Sequence, residues 1–444
     1  MLLSYPSRLT AKSAACRGIA HLMLPAKGVE NMANVTQWAL RAAATVAIAS
    51  ASNVYASCGV ESGKVSILSN DFPALHAVAN MAETCASDKV TVTKNQTKDH
   101  RNLQVAALKA NPAKYSSAIV STSSIVPLLN EGLVRPLDDL VAKYGASLQP
   151  SQLIRVDGKV MAVAFMANSQ HLFYREDILK LAGVEPPTTY DELIAAAKVI
   201  RDKGIMSNPI ALNTKTGWNL GEEFINMYCA TGGDFFKGNS AQPNINNPMG
   251  VKALNTLKAL TELSNPDYLT FDSNVTQSLW EDGKVAFAVM WGSRGSAILD
   301  DEGSEPDIVA STRLVSTPSL EKGGLPATTL WWDGWTVSKN LSDADAEATF
   351  KVMVKATSTE MMKANSEKAV WLIEGYQPND AAKGVIDSVQ NKARPYPMLP
   401  YMGSLHSALG SELSDFLQGK ESAEQALKDA EAAYTASAKE QGFL

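Results

Sequence analysis

Residues 64–120 read KVSILSNDFPALHAVANMAETCASDKVTVTKNQTKDHRNLQVAALKANPAKYSSAIV. Three short β-rich runs, 64–68, 90–94 and 117–120, are separated by amphipathic stretches at 73–86 and 99–110. Strands alternating with helices of this length predict right-handed βαβ units and a mostly parallel sheet. In open α/β sheets, ligands gather outside the carboxyl ends of the strands. The loops at those ends are the first candidates: Ser69, Asn70, Asp71 and Phe72; Ser121 to Ser124; Asn168, Ser169 and Gln170; and Trp291 to Arg294.

Downstream the pattern shifts to longer helices, at 191–203, 219–230 and 250–264, interrupted by a strand at 285–290. Helical periodicity returns at 344–356 and 422–441. The chain has 444 residues, 45% hydrophobic and 19% charged, an ordinary globular profile with room for two lobes. Its formal charge of -6 gives no general attraction to nucleic acid or anionic lipid.

Arg41 precedes a small, apolar run at 42–50 and two small-x-small sites, which together read as a secretory signal cleaved after Ala56. Residues 1–30 lie outside that pattern, and Met23 or Met32 would make a more natural start. Loss of Arg8, Lys12, Arg17, Lys27 and Arg41 with Glu30 takes the formal charge from -6 to -10. Export to an oxidising compartment, here the periplasm, makes a disulfide between Cys58 and Cys85 one expectation. The alternative is lipid attachment at Cys58, since Tyr55-Ala56-Ser57-Cys58 is a degenerate lipobox. Cys229, in an apolar context, reads as a buried thiol.

Enzyme constellations are scarce. The sequence has no P-loop, no HExxH and no G-x-S-x-G, and His76, His100, His171 and His406 are widely spaced. Adjacent acids such as Asp138-Asp139, Glu222-Glu223 and Asp300-Asp301 could flank a glycosidic bond, but such pairs usually belong to a solvated face. Tryptophan placement is the unusual feature. Trp291, Trp331, Trp332 and Trp335 fall in two short Gly-bordered segments, VMWGS and LWWDGW. A sugar ring packs its C–H faces on flat apolar surface and needs polar groups at the rim, which Asp333 could supply. Trp280 and Trp371, inside apolar helical patterns, read as core; Trp218, just before a helix, suits either role.

The chain resembles the extracellular sugar-binding proteins of ABC importers, the family that includes maltose-binding protein. The resemblance runs from about Lys64 to the C-terminus and rests on IVPLLNEGLVRPLDDL (125–140), DGKVMAV (157–163) with FYRED (173–177), AGVEPPTTYDEL (182–193) and EDGKVAF (281–287) leading to Trp291. It departs from the family at Met161 and Ala164, where Tyr and Pro are usual, and at 331–335, where WWDGW replaces a run of glycines.

The resemblance implies an α/β, two-lobed, periplasmic-binding-protein-like fold of type II, with lobes joined by a multi-strand hinge crossing near Phe165, Thr336 and Pro397. Lobe one would comprise 57–165 and 336–396, lobe two 166–335 and 397–444. By position it implies ligand contacts from Asn70, Asp71, Ser121 to Ser123, Asn168, Gln170, Trp291, Trp332, Asp333 and Trp335, with Tyr396, Tyr401 and His406 as further members. Trp218 and Arg294, the one basic residue in a strand-end loop, complete the candidates. The implied protein is a monomeric, non-catalytic receptor without cofactor. It would present a sugar or oligosaccharide to a membrane permease; a polyol or sugar-phosphate receptor and a secreted glycoside hydrolase are the alternatives.

Overall fold

Twelve strands form two separate sheets in the computed structural model, which describes residues 58–300 and 303–444; the expected signal and its cleavage site lie outside them. The strands are β1 (Gly63–Ser69), β2 (Val90–Gln96), β3 (Ser117–Ser121), β4 (Leu153–Val156), β5 (Lys159–Asn168), β6 (Gln170–Arg175), β7 (Ile210–Ala211), β8 (Phe287–Trp291), β9 (Thr312–Val315), β10 (Thr329–Trp335), β11 (Val370–Trp371) and β12 (Arg394–Pro395). The first sheet has the order β11-β5-β10-β3-β1-β2, with β4 on β5 and β12 on β10; the second is β7-β8-β6-β9. Each sheet carries its own core. Val65, Ile67, Phe165, Trp335, Phe350 and Trp371 pack together in lobe one. Leu172, Phe224, Tyr228, Phe287, Leu409 and Tyr434 do so in lobe two.

The expectation of a mostly parallel sheet holds only for β2-β1-β3, and for the short pairings β7 with β8 and β10 with β12. Elsewhere pairing is antiparallel: β10 with both β3 and β5, and β6 with both β8 and β9. The cause is topological. The chain leaves lobe one along β5 and comes back along β10, so outgoing and returning strands lie side by side in opposite directions.

Local sequence explains where elements stop. Gly183 ends the helix Glu176–Ala182 in the left-handed conformation, with φ 64°, which suits glycine. Thr189 then starts the helix Tyr190–Asp202 with a capping box: its hydroxyl accepts from the Glu192 N–H at 3.2 Å, and the Glu192 carboxylate accepts from the Thr189 N–H at 3.1 Å. The run 182–193 is thus a stop, a turn and a start.

The crossings fall differently from expectation. The first lies at Ser169, where β5 of one sheet gives way to β6 of the other. The second is β10 itself, whose Trp331 packs in lobe two and Trp335 in lobe one. The segment 336–396, expected wholly in lobe one, divides: β11 pairs with β5, whereas the helix Lys383–Gln390 packs on β6 and β9. Gly384 permits that approach, since a Cβ there would come within 2.3 Å of the His171 ring.

Cys58 and Cys85 are joined by a disulfide that ties the chain before β1 to the end of the helix Pro73–Glu83. Cys229 is a free, buried thiol, pushed up to about 12 by burial.

Candidate functional site

The two crossings and the carboxyl ends of β3 and β8 meet at one cleft: Asn168 pairs with Trp331, Gln170 with Trp291 and Ser121 with Asp333. Its centre is aromatic. Trp218, the first residue of the helix Trp218–Ala230, stacks near-parallel to Trp291 at 6.3 Å and meets the edge of Trp331 at 5.7 Å; Trp291 and Trp331 are 5.6 Å apart and nearly perpendicular. Gly217, with φ 99°, makes the turn that delivers Trp218. The helix Met402–Leu417 approaches that turn so closely that a Cβ on Gly410 would sit 2.3 Å from the Gly217 carbonyl oxygen.

This docking sets His406 beneath Trp218, ring on ring at 4.7 Å. His406 Nε2 lies 2.7 Å from the Trp218 carbonyl, and Nδ1 lies 2.9 Å from the Tyr396 hydroxyl. A carbonyl only accepts, so Nε2 carries the proton and Nδ1 accepts from Tyr396. The imidazole is therefore neutral, in keeping with burial that pushes it down to about 3. Tyr396 in turn packs on Trp331 at 4.3 Å. Tyr396 and His406 are both buried, so they support the rings from behind.

Beneath the rings lies a buried acid. Glu222 is wholly buried, and its Oε1 accepts from Trp331 Nε1 at 3.1 Å and lies 2.8 Å from the Thr329 hydroxyl. Burial pushes it up to about 8, with neighbouring Glu223 adding repulsion. Glu223 is equally buried, is pushed up to about 8 by burial, and accepts from the Asn213 N–H. The expectation of a solvated face for this pair is wrong, because the helix Trp218–Ala230 is buried along nearly its whole length.

Asp333 sits opposite Ser121 in the β10–β3 register, half-buried, its carboxyl pushed up to about 7 by burial against the downward pull of Arg101. Arg101 opens the helix His100–Lys109 of lobe one and donates to Ser123 Oγ at 2.8 Å and Ser121 Oγ at 3.2 Å. Its guanidinium carbon lies 4.9 Å from the Trp218 ring centre, a cation–π contact that joins the lobes across the cleft.

Asn168, at the first crossing, accepts from the N–H groups of Ser169 and Ser293 and donates to Ser293 Oγ at 3.3 Å, pinning the turn after Trp291. Gln170 is buried beside Glu223. Asn70 accepts from the Asp71 N–H, and Asp71 Oδ1 lies 2.6 Å from His76 Nε2. Arg294 donates to Gln277 and Asn274, both at 2.9 Å.

Two further expected ligand residues pack into the interior of the lobes, as Tyr396 and His406 do. Trp335 is fully buried in lobe one, edge-on to Phe350 and donating to Thr357 Oγ1 at 3.3 Å. Tyr401 packs on Phe236 and Phe443 and donates to the Ser240 carbonyl at 3.1 Å. Trp332 is half-buried against the lobe-one cluster that holds Leu68, Val120 and Ala162, apart from the ring cluster. The three tryptophans of WWDGW thus go to three different clusters, because the strand alternates its side chains while passing from one lobe to the other.

Sequence reasoning missed Arg101, which lies in the first turn of the helix after β2, outside the strand-end loop 97–99. It set Glu222 aside as part of a solvated face, and it missed Thr329, for which periodicity carries no signal. A cavity of about 190 Å³ is lined by Ser123 and Tyr396 together with Asn130, Met402 and Ser404. A larger cavity, about 320 Å³, lies among Ile205, Phe271, Leu279 and Val285, at the opposite end of β8.

The family described as "Bacterial extracellular solute-binding protein" matches residues 104–363. A "Probable ABC transporter-binding protein" of Deinococcus radiodurans is 25% identical over 280 residues, 61% of this chain and 61% of the relative's own length. The "sn-glycerol-3-phosphate-binding periplasmic protein UgpB" of Brucella abortus is 22% identical over 377 residues, covering 77% of this chain and 84% of the relative. Among solved structures, maltose-bound MalE3 of T. maritima superposes with a TM-score of 0.73 at 19% identity, covering 84% of this chain and 99% of that one. That likeness shows the two-lobed fold.

Proposed function

Because the chain belongs to the bacterial extracellular solute-binding protein family, we propose that it is the receptor of an ABC importer, capturing a sugar or oligosaccharide between its lobes and handing it to a membrane permease. One observation carries this reading: half-buried Trp218 and Trp291 gather on buried Trp331 where the crossings meet, with Asp333, Ser121 and Ser123 nearby in lobe one. Flat apolar faces with a polar rim match a pyranose, whose C–H faces are apolar and whose edge is all hydroxyl. The adjoining cavity suits a ligand of more than one ring. The relative's maltose supports a sugar; a polyol would use the same rim.

The receptor acts as a monomer in the periplasm, after loss of residues 1–56, and performs no chemistry on its cargo. The Cys58–Cys85 disulfide fits an oxidising compartment. A sugar-phosphate is the second reading, supported by the Brucella relative's name and by Arg294 and Lys98, which act on each other at the cleft. A thermal-shift screen of neutral mono- and oligosaccharides, polyols and glycerol-3-phosphate tests both. A ligand that binds only the folded state adds about 2.7 kcal/mol at a hundredfold excess over Kd. A shift with glycerol-3-phosphate alone would replace the first reading with the second.

A further inference from the structure

Arginine pairing sets the cleft apart from the rest of the molecule. Arg101 and Arg294 donate only to neutral groups among the described residues: Arg101 to the Ser121 and Ser123 hydroxyls, Arg294 to the Gln277 and Asn274 amides. Every other arginine among those residues lies within ion-pair distance of a carboxylate. Lys98 resembles the first two, its ammonium donating to the Asp71 carbonyl. All three follow the carboxyl ends of strands, Lys98 and Arg101 after β2 in lobe one and Arg294 after β8 in lobe two.

Arg101 is anchored with donors left over. A guanidinium carries its N–H groups in one rigid plane. Nη1 and Nη2 each give a hydrogen to a serine, and the remaining N–H groups have no acceptor among the described residues. The guanidinium carbon lies 4.9 Å over the Trp218 ring centre, a contact that fixes the cation without consuming an N–H. Because Arg101 is only half-buried, those donors stay within reach of a ligand. The acids that act on it, Asp333 and Glu222, accept none of its hydrogen bonds, and burial keeps both protonated near pH 6, Asp333 at about 7 and Glu222 at about 8.

We propose that the cleft takes an acidic carbohydrate, a hexuronate or an oligomer of one, whose carboxylate is bound by the free edge of the Arg101 guanidinium. This rests on the carbohydrate reading above and narrows it. A carboxylate accepts two parallel N–H bonds from a guanidinium, which the hydroxymethyl group of a neutral sugar at the same ring position cannot do. Trp218 already has His406 and Arg101 against its ring, so half-buried Trp291, 6.3 Å away, is the floor for the pyranose.

Lys98 and Arg294 extend the same preference. They belong to opposite lobes, and after burial the Arg294 charge is what pushes the Lys98 ammonium down. Two cations facing each other across a cleft oppose its closure, and a carboxylate between them removes that opposition. An oligouronide carries a carboxylate on every ring, so its second ring supplies one. A phosphate ester has the same sign of charge but brings about two charges to a single point, whereas Arg101 meets the rings as a single guanidinium.

Titration calorimetry of the mature protein at pH 6 tests this, with glucuronate, galacturonate and digalacturonate compared with glucose, galactose and lactose, and with glucose 6-phosphate as the phosphate arm. The expected result is about tenfold or tighter binding of a uronate than of its neutral parent. Arg101→Gln should bring that ratio to about one, and Arg101→Lys, which keeps the charge and loses the fork, should restore it only in part. An unliganded melt establishes that each variant is folded. Lys98→Gln, at an exposed position, keeps the test open if the Arg101 variants unfold: it should weaken digalacturonate about threefold relative to lactose. Equal or tighter binding of the neutral sugars, or a uronate preference that survives these substitutions, overturns the inference and leaves the carbohydrate reading standing. Tighter binding of glucose 6-phosphate than of any uronate overturns it in favour of a sugar-phosphate. Silence from the whole panel overturns both.

Discussion

Trp291→Ala and Trp335→Ala separate the binding role of tryptophan from its packing role, because the two residues come from similar motifs and end in different environments. Trp291 is half-buried at the end of β8 and touches Trp218 and Trp331. Each such ring pair contributes about 0.5–1.5 kcal/mol, so truncation loosens the ring cluster by roughly 1–3 kcal/mol. A ligand loses more specifically, since a flat anchor in a desolvated pocket is worth about 2 kcal/mol or more on truncation. Affinity should fall about thirtyfold. Trp335 is wholly buried against Phe350, so its removal leaves a cavity that costs about 3–5 kcal/mol of stability. The folded variant should keep its affinity. Calorimetric titration with a sugar found by the thermal-shift screen, beside urea unfolding of the unliganded proteins, gives both numbers for each variant. Parental affinity in folded Trp291→Ala would refute the stacking role.

Stability should fall as pH rises from about 6 to 8. Glu222 and Glu223 at about 8, and Asp333 at about 7, keep protons in the folded state that the unfolded chain releases near pH 4, so each group costs on the order of 1.4 kcal/mol per pH unit until its own folded-state value is passed, near 7 for Asp333 and near 8 for the glutamates. His171 and His406, both pushed down to about 3, act oppositely below pH 6.5, where the unfolded chain takes up protons first. Urea midpoints that rise between pH 6 and 8 would contradict the buried-acid assignment. Replacing Cys58 and Cys85 by Ser opens a loop of sequence separation 27, and the chain-entropy estimate for that loop is about 3.5 kcal/mol. Mass mapping of non-reduced peptides from exported protein should find the 58–85 pair, and a lipid adduct on Cys58 would exclude it. Small-angle scattering should give a smaller radius of gyration with saturating sugar, as lobes that close on ligand require; an unchanged radius argues against a working hinge.

Sequence periodicity located β1 to β3, the helices between them, and the helices Tyr190–Asp202, Trp218–Ala230, Pro248–Thr261 and Ala423–Glu440 to within a few residues, but not the helix Met402–Leu417. The direction of β10 was not legible, because strand pairing across a crossing is set by distant segments rather than by the strand's own residues. The same limit hid which way each tryptophan of WWDGW faces. Alternation gives two faces, but assigning them needs the lobe on each side, and Asp333 and Gly334 also carry a register shift against β5. Glu222-Glu223 misled because charge alone suggests solvent, whereas Thr329, Trp331 and Asn213 satisfy some of their acceptors from segments remote in sequence. Arg101 escaped the strand-end rule because it sits in the first turn of the helix after β2 rather than in the loop itself.

Capture of an intact carbohydrate is the central claim, and one titration tests it most directly. Purified mature protein is titrated calorimetrically with the sugar giving the largest thermal shift, and the mixture is then analysed by thin-layer chromatography after prolonged incubation. The account predicts one-to-one binding and full recovery of unchanged sugar. Progressive appearance of shorter products would contradict it and favour a glycoside hydrolase.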